Sequence, residues 1–225
     1  MAWEEWVEGS AIEPSLYAAD FARLGEQIEA LLEAGVRVFH FDVGDGHFVP
    51  PVTIGPVVLR SIAPLIHDRG GRLDCHLMVD NPVHQFAEIA QSGGDSVTFH
   101  VEVARDARAI AAAARDLGLA VGVAFNPGTE PEVAAAAAAE AEAELCLCMS
   151  IVPGYSGQDF MDEAYARIER LRSLVDCFVQ VDGGVKKTNV ARVRAAGADL
   201  IVVGSGVFAA ADVGGAFRGL AQLAA

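Results

Sequence analysis

The chain has 225 residues, carries 31 Asp and Glu against 16 Lys and Arg, and so has a formal net charge of −15. Hydrophobic residues make up 52% of it, enough for one sizeable core, which excludes a globally disordered chain. The negative surplus argues against nucleic acid or an anionic membrane as partner, but not against a small phosphate ester, which backbone N–H groups can hold inside an acidic protein.

In chain order, residues 1–11 read as an N-terminal extension. The opening MAWEEWVEGS is acidic and has no basic stretch ahead of an apolar run, so no secretory signal is expected. Trp3 and Trp6 within it would cover the bottom of the domain or join a subunit contact. Strand patterns follow at 12–16, 38–43, 73–79, 96–102, 120–125, 145–151, 177–184 and 199–206. Helical patterns fall between and after them, at 20–34, 54–66, 82–91, 104–117, 131–144, 161–174, 188–196 and 213–224. Gly35, Gly118 and Gly197 each follow the last apolar turn of a helix, a stop signal. The alanine run 134–139 suits a helix by intrinsic propensity, and the apolar run 133–139 between Glu132 and Glu140 is too short to span a bilayer. Strand alternating with helix over 12–225, with no linker or low-complexity break, predicts one catalytic domain. Its expected fold is a single α/β (β/α)8 TIM barrel rather than an open doubly wound sheet.

In such a barrel the chemistry gathers at the C-terminal ends of the strands. His40 and Asp42, two apart on the second strand, point to one face. His76 lies on the third strand and Asp182 ends the seventh. Two imidazoles and two carboxylates converging there would hold a divalent cation of the Zn, Mn, Fe or Co kind. His100 and Glu102 share a face of the fourth strand, beside that site. Gly154, Tyr155, Ser156 and Gly157 after the sixth strand, Gly183 and Gly184 after the seventh, and Gly204 and Ser205 after the eighth read as a phosphate cradle. Cys146 and Cys148 share one face of the sixth strand and read as small buried residues. All four cysteines, with Cys75 and Cys177, read as reduced thiols of a cytoplasmic protein.

From about residue 12 to 208 the chain resembles the ribulose-phosphate 3-epimerase family. The segments that carry the resemblance are EPSLYAADF (13–21), HFDVGDGHFVP (40–50), LDCHLMVDNP (73–82), TFHVE (98–102), MSIVPGYSGQDF (149–160), VDGGV (181–185) and AGADLIVVGSGVF (196–208). The resemblance implies a divalent metal, no organic cofactor, and a carbohydrate epimerase of the pentose phosphate or Calvin pathway. Its reaction would interconvert D-ribulose 5-phosphate and D-xylulose 5-phosphate through a metal-stabilised cis-enediolate. It further implies that His40, Asp42, His76 and Asp182 are metal ligands and that Asp42 and Asp182 form the acid/base pair. Ser15, His76, Asp182 and the glycine-rich positions would hold substrate and phosphate, and Met78 and Met149 would line the pocket. The expected partner is thus a small phosphorylated ketose, with neither nucleic acid nor membrane, and the chain is expected to form a homo-oligomer.

Four positions depart from the family's pattern. Gly44 stands for a methionine, which should widen one wall of the pocket. Val152 stands for a polar residue, Ser156 for a glycine of the phosphate loop, and Glu13 for a small residue. Glu13 shares the face of Ser15 and should place another carboxylate in the barrel. These departures leave open a longer substrate such as allulose 6-phosphate. A non-catalytic sugar-phosphate-binding barrel is the alternative of a different class, against which two opposed carboxylates speak.

Overall fold

The computed structural model describes residues 2–7 and 11–225. Eight parallel strands pair in ring order: β1 (Ile12–Pro14), β2 (Val38–Gly44), β3 (Arg72–Met78), β4 (Ser96–His100), β5 (Ala120–Phe125), β6 (Leu145–Met149), β7 (Phe178–Asp182) and β8 (Leu200–Val203). Hydrogen bonding runs from β1 through β8 and back down to β2, and a parallel bridge between Ser15 and His40 closes the ring. The fold is the expected (β/α)8 barrel. The helices are α1 (Ala2–Trp6), α2 (Leu24–Glu33), α3 (Pro56–His67), α4 (Val83–Gln91), α5 (Ala107–Arg115), α6 (Pro131–Ala141), α7 (Glu163–Arg172), α8 (Val190–Ala195), α9 (Ser205–Phe208) and α10 (Val213–Ala224).

Local chemistry sets several ends. Asp106 and Asp212 cap α5 and α10, their carboxylates accepting the N–H groups of Ala109 and Gly215 at 2.8 Å. Pro131 opens α6, where a missing N–H costs nothing. The eighth strand pattern stops at Val203, short of the expected residue 206, because the backbone turns at Gly204 into α9. No helix among the described residues is long and apolar enough to cross a membrane.

Strand side chains alternate, and the two faces have opposite characters. Outward residues such as Phe39, Phe41, Cys75, Phe99, Val121, Cys146 and Cys148 are fully buried against the helices. The inward face carries Glu13, His40, Asp42, Asp74, His76, Ser96, Thr98, His100 and Gln180, all buried. Such a polar interior is stable only where its groups are hydrogen-bonded to one another. The short helix α1, absent from the sequence expectation, supplies the floor. Its Trp3 is fully buried in one apolar cluster with Val38, Leu145 and Leu200, at the starts of β2, β6 and β8.

Candidate active site

The parallel register sets His40 beside Asp74 and Asp42 beside His76. Since all four point inward, two rungs of β2 and β3 make a compact array. His40 Nε2 lies 3.3 Å from Asp42 Oδ1 and 4.0 Å from Asp182 Oδ2. His76 Nδ1 lies 3.0 Å from Asp42 Oδ1 and 3.8 Å from Asp182 Oδ2. One ligand atom from each of His40, Asp42, His76 and Asp182 falls within 4.8 Å of all the others. The structure thus brings together the four residues singled out from sequence. His76 is fully buried and reaches this cluster rather than the wall of the cleft above it.

The two aspartates are driven apart electrostatically. Burial would raise Asp42, but the positive charge of His40 beside it outweighs that and holds the carboxyl far below its ordinary range. Burial, and then the charge of Asp42, push Asp182 up to about 7. Burial also opposes a charged His40, yet Asp42 and Asp74 together outweigh it and raise that imidazole above its usual value. His40 Nδ1 donates to Asp74 Oδ2 at 2.9 Å, and Asp74 Oδ1 accepts from Ser96 Oγ at 2.7 Å. With Nδ1–H committed, Nε2 is where His40 holds either a proton or a metal cation.

The donor set fits a divalent cation. His40 Nε2 is buried without a hydrogen-bond partner, although Asp42 lies within reach. A buried imidazole nitrogen, a second imidazole and two carboxylates, all facing one point, are the ligand chemistry of Zn²⁺, Mn²⁺, Fe²⁺ or Co²⁺.

Above the cluster lies a cleft open to solvent. Ser15, Asp42, Met78, Met149 and Asp182 line its inner end, and Gly154, Tyr155, Ser156, Gly157, Gly183, Gly184, Gly204 and Ser205 line the rest. Gly184 has φ +64°, and a Cβ there would stand 2.4 Å from the backbone N of Phe160, so only glycine lets the two loops meet. A Cβ on Gly204 would stand 3.4 Å from Ser156 Oγ, which brings that hydroxyl to the same end of the cleft.

Ser15 Oγ donates to Asp42 Oδ2 at 2.6 Å. Glu13 faces inward as expected and is 1% exposed, but among the described residues no cation pairs with it. Gln180 Nε2 donates to both Glu13 Oε2 at 2.5 Å and Asp74 Oδ2 at 2.9 Å. Burial, and then the charge of Asp74, push Glu13 up to about 8, so it is neutral at pH 7 and adds no charge beneath the substrate site.

One expectation fails, and one departure proves remote from the site. Gly44 does not widen the cleft: a Cβ there would meet Val49 Cγ2 at 2.9 Å, Thr53 Cγ2 at 3.0 Å and Pro51 O at 3.1 Å. The loop after β2 folds back over the glycine and fills the space. Val152 is 62% exposed and lies outside the cleft lining, so its change of polarity does not touch the site. Asp74, Gln180 and Tyr17 were not singled out from sequence. The first two lie two residues before His76 and Asp182 on the same strand faces, a signal that alternation offers. Tyr17 lines the cleft from a 3-10 turn, where no such rule applies.

The model of the Ribulose-phosphate 3 epimerase family matches residues 11–208. A ribulose-phosphate 3-epimerase of Aquifex aeolicus is 36% identical over 216 residues, 93% of this chain and 95% of its own length. One from Synechocystis is 38% identical over 93% of this chain and 92% of its own, and one from Escherichia coli 37% over 88% of each. Among solved structures, 3-hexulose-6-phosphate synthase from Salmonella typhimurium superposes with a TM-score of 0.72 at 18% identity, covering 95% of this chain and 98% of that one. That likeness is one of fold.

Proposed function

The chain belongs to the ribulose-phosphate 3-epimerase family, and from that premise we propose that it interconverts D-ribulose 5-phosphate and D-xylulose 5-phosphate by two-carboxylate proton transfer. The observation that carries the reading is the pairing of Asp42 and Asp182 at the inner end of one cleft, beside the His40 and His76 nitrogens. Two carboxyls that flank one point can serve the two faces of a carbon held between them, one as base and the other as acid.

The hydrogen on C3 is acidic because it lies alpha to the C2 ketone. One aspartate takes it as a base, and the other returns a proton to the opposite face, which inverts C3. The roles exchange in the reverse direction. Ser15 keeps Asp42 aimed by occupying Oδ2, so that Oδ1 is the oxygen in the cluster. Met78 and Met149 give the inner end of the cleft an apolar lining that limits water around the reacting carbons. The glycine-rich stretches at 154–157, 183–184 and 204–205 offer backbone N–H groups to the phosphate, together with the Ser156 and Ser205 hydroxyls.

His40, Asp42, His76 and Asp182 would hold the divalent cation. When bound, it supplies Lewis acidity for the oxyanion charge that develops at C2 and C3. The proposal needs no organic cofactor. It places the protein in the cytoplasm with other enzymes of phosphorylated sugars, and it includes self-association, which light scattering measures. With the space at Gly44 filled, nothing in the cleft favours a longer sugar. The test is proton NMR of ribulose 5-phosphate in D₂O. Deuterium should enter at C3 as xylulose 5-phosphate forms, and epimerisation with no exchange at C3 would overturn the scheme.

A further inference from the structure

The barrel holds another run of polar side chains that the proposed reaction does not use. His100, on the inner face of β4, is fully buried. Its Nε2 lies 2.8 Å from Nε2 of His76, and its Nδ1 lies 3.1 Å from Glu102 Oε2. Glu102 Oε1 accepts the backbone N–H of Asn126 at 2.8 Å and the Thr129 hydroxyl at 2.6 Å. The ring of Phe48 packs on His100, with centroids 4.7 Å apart.

The proton positions along this run follow from its outer end. A backbone N–H only donates, so the Glu102 carboxylate is an acceptor, and His100 Nδ1–H donates to it. A neutral imidazole has one N–H, so His100 Nε2 presents a lone pair. The nitrogen facing it, His76 Nε2, therefore carries the proton. That leaves the lone pair of His76 on Nδ1, the atom that faces Asp42 and Asp182. Without this constraint His76 could take the other tautomer and donate Nδ1–H to Asp42, which would remove one ligand from the cluster and cover another.

We propose that Glu102 and His100 are positioning residues, which lock His76 in its Nε2–H tautomer and aim its Nδ1 lone pair at the cation site. The inference rests on the reading of His40, Asp42, His76 and Asp182 as that site. It gives the two ligand histidines separate anchors, Asp74 for His40 and the Glu102–His100 pair for His76. Outer partners of this kind typically set metal affinity by about 10–100-fold.

The test uses the full chain, stripped of metal and titrated with Zn²⁺ in competition with a chromophoric chelator, while the Co²⁺ form is read by its absorption spectrum. His100→Phe keeps a ring against Phe48 but offers no acceptor, and it should weaken Zn²⁺ binding by about 10–100-fold. His100→Gln can accept from His76 with its amide oxygen and donate to Glu102 with its amide nitrogen, so it should recover most of that loss and the wild-type Co²⁺ spectrum. A ring that merely fills space predicts the reverse order, with phenylalanine better than glutamine. Glu102→Ala, at a partly exposed position, gives a second reading should His100→Phe fail to fold, and it should weaken Zn²⁺ by about tenfold. Affinities within about twofold of wild type in the variants that fold, or glutamine no better than phenylalanine, would overturn the proposal. Binding is read apart from turnover, so a wild type that holds Zn²⁺ but fails to epimerise counts against the proposed reaction alone.

Discussion

Ser15 and Asp42 meet where the barrel closes between β1 and β2: the serine hydroxyl donates to Asp42 Oδ2 at 2.6 Å, while Oδ1 turns to His76 at 3.0 Å. The bond fixes which oxygen faces the cluster and helps keep the carboxylate ionised. Hydrogen bonds to charged groups contribute about 1.5–3 kcal/mol. Ser15→Ala should therefore lower kcat/KM by about 10–100-fold, chiefly through kcat, as steady-state assays on ribulose 5-phosphate would show. An unchanged kcat would mean that Asp42 is held without the serine.

The two-base scheme predicts that Asp42→Asn and Asp182→Asn each lower net epimerisation by at least about 10²-fold, since each removes the only group serving one face of C3. A variant that retains its metal should still exchange the C3 hydrogen of one epimer with D₂O. Near wild-type turnover in either metal-loaded variant would show that one carboxylate serves both faces.

Removal of the metal should abolish turnover, and Zn²⁺, Mn²⁺, Fe²⁺ or Co²⁺ should restore it. Because the cation binds the folded chain, adding it at about 100 times its dissociation constant should stabilise that state by about 2.7 kcal/mol, read as a rise in Tm. Full activity in a sample shown by elemental analysis to be metal-free would end the assignment of the cluster.

How far the site was legible follows from the reach of each rule. His40, Asp42 and His76 were readable because strand alternation is a local rule, and β2 and β3 obey it without a bulge. The same rule reaches Asp74 and Gln180, which join the site by register between strands rather than by any motif of their own. The rule fails at Gly44, where Thr53 Oγ1 bonds both the Gly44 N–H and the Asp42 carbonyl. Those contacts come from nine residues downstream, so composition at position 44 alone pointed to a gap that the fold has closed.

Glu13 gives a pH signature of stability. Its pKa is raised from 4.5 to about 8 in the folded chain, by burial first and Asp74 second. Below about pH 4.5 it is neutral folded or unfolded, and no penalty exists. Between 4.5 and 8 the unfolded chain ionises while the folded chain holds its proton, so stability drains away as pH rises through that window. Glu13→Gln keeps an oxygen toward Gln180 and has no proton to lose. The gain in stability of the variant over wild type should grow between pH 5 and 8 by up to about 1.4 kcal/mol per unit, a few kcal/mol in all. Denaturant melts at fixed metal concentration would measure it, and a difference independent of pH would show that Glu13 ionises in the fold at little cost.

Gly44→Met tests whether the cleft has spare room beside the reacting carbons. The position is buried at the end of β2, and its Cβ alone would press on Val49, Thr53 and the Pro51 carbonyl at 2.9–3.1 Å. The longer side chain must displace the 45–53 loop, and with it the Thr53 hydroxyl that ties Gly44 to the Asp42 backbone. Overpacking of this kind costs about 1–3 kcal/mol. The variant should melt lower and lose kcat/KM on five- and six-carbon ketose phosphates alike, because the damage falls on the placement of Asp42 and not on substrate length. A higher kcat/KM on the pentulose phosphate with a loss on the hexulose phosphate would show instead that the loop yields and that the wall at Gly44 sets substrate size.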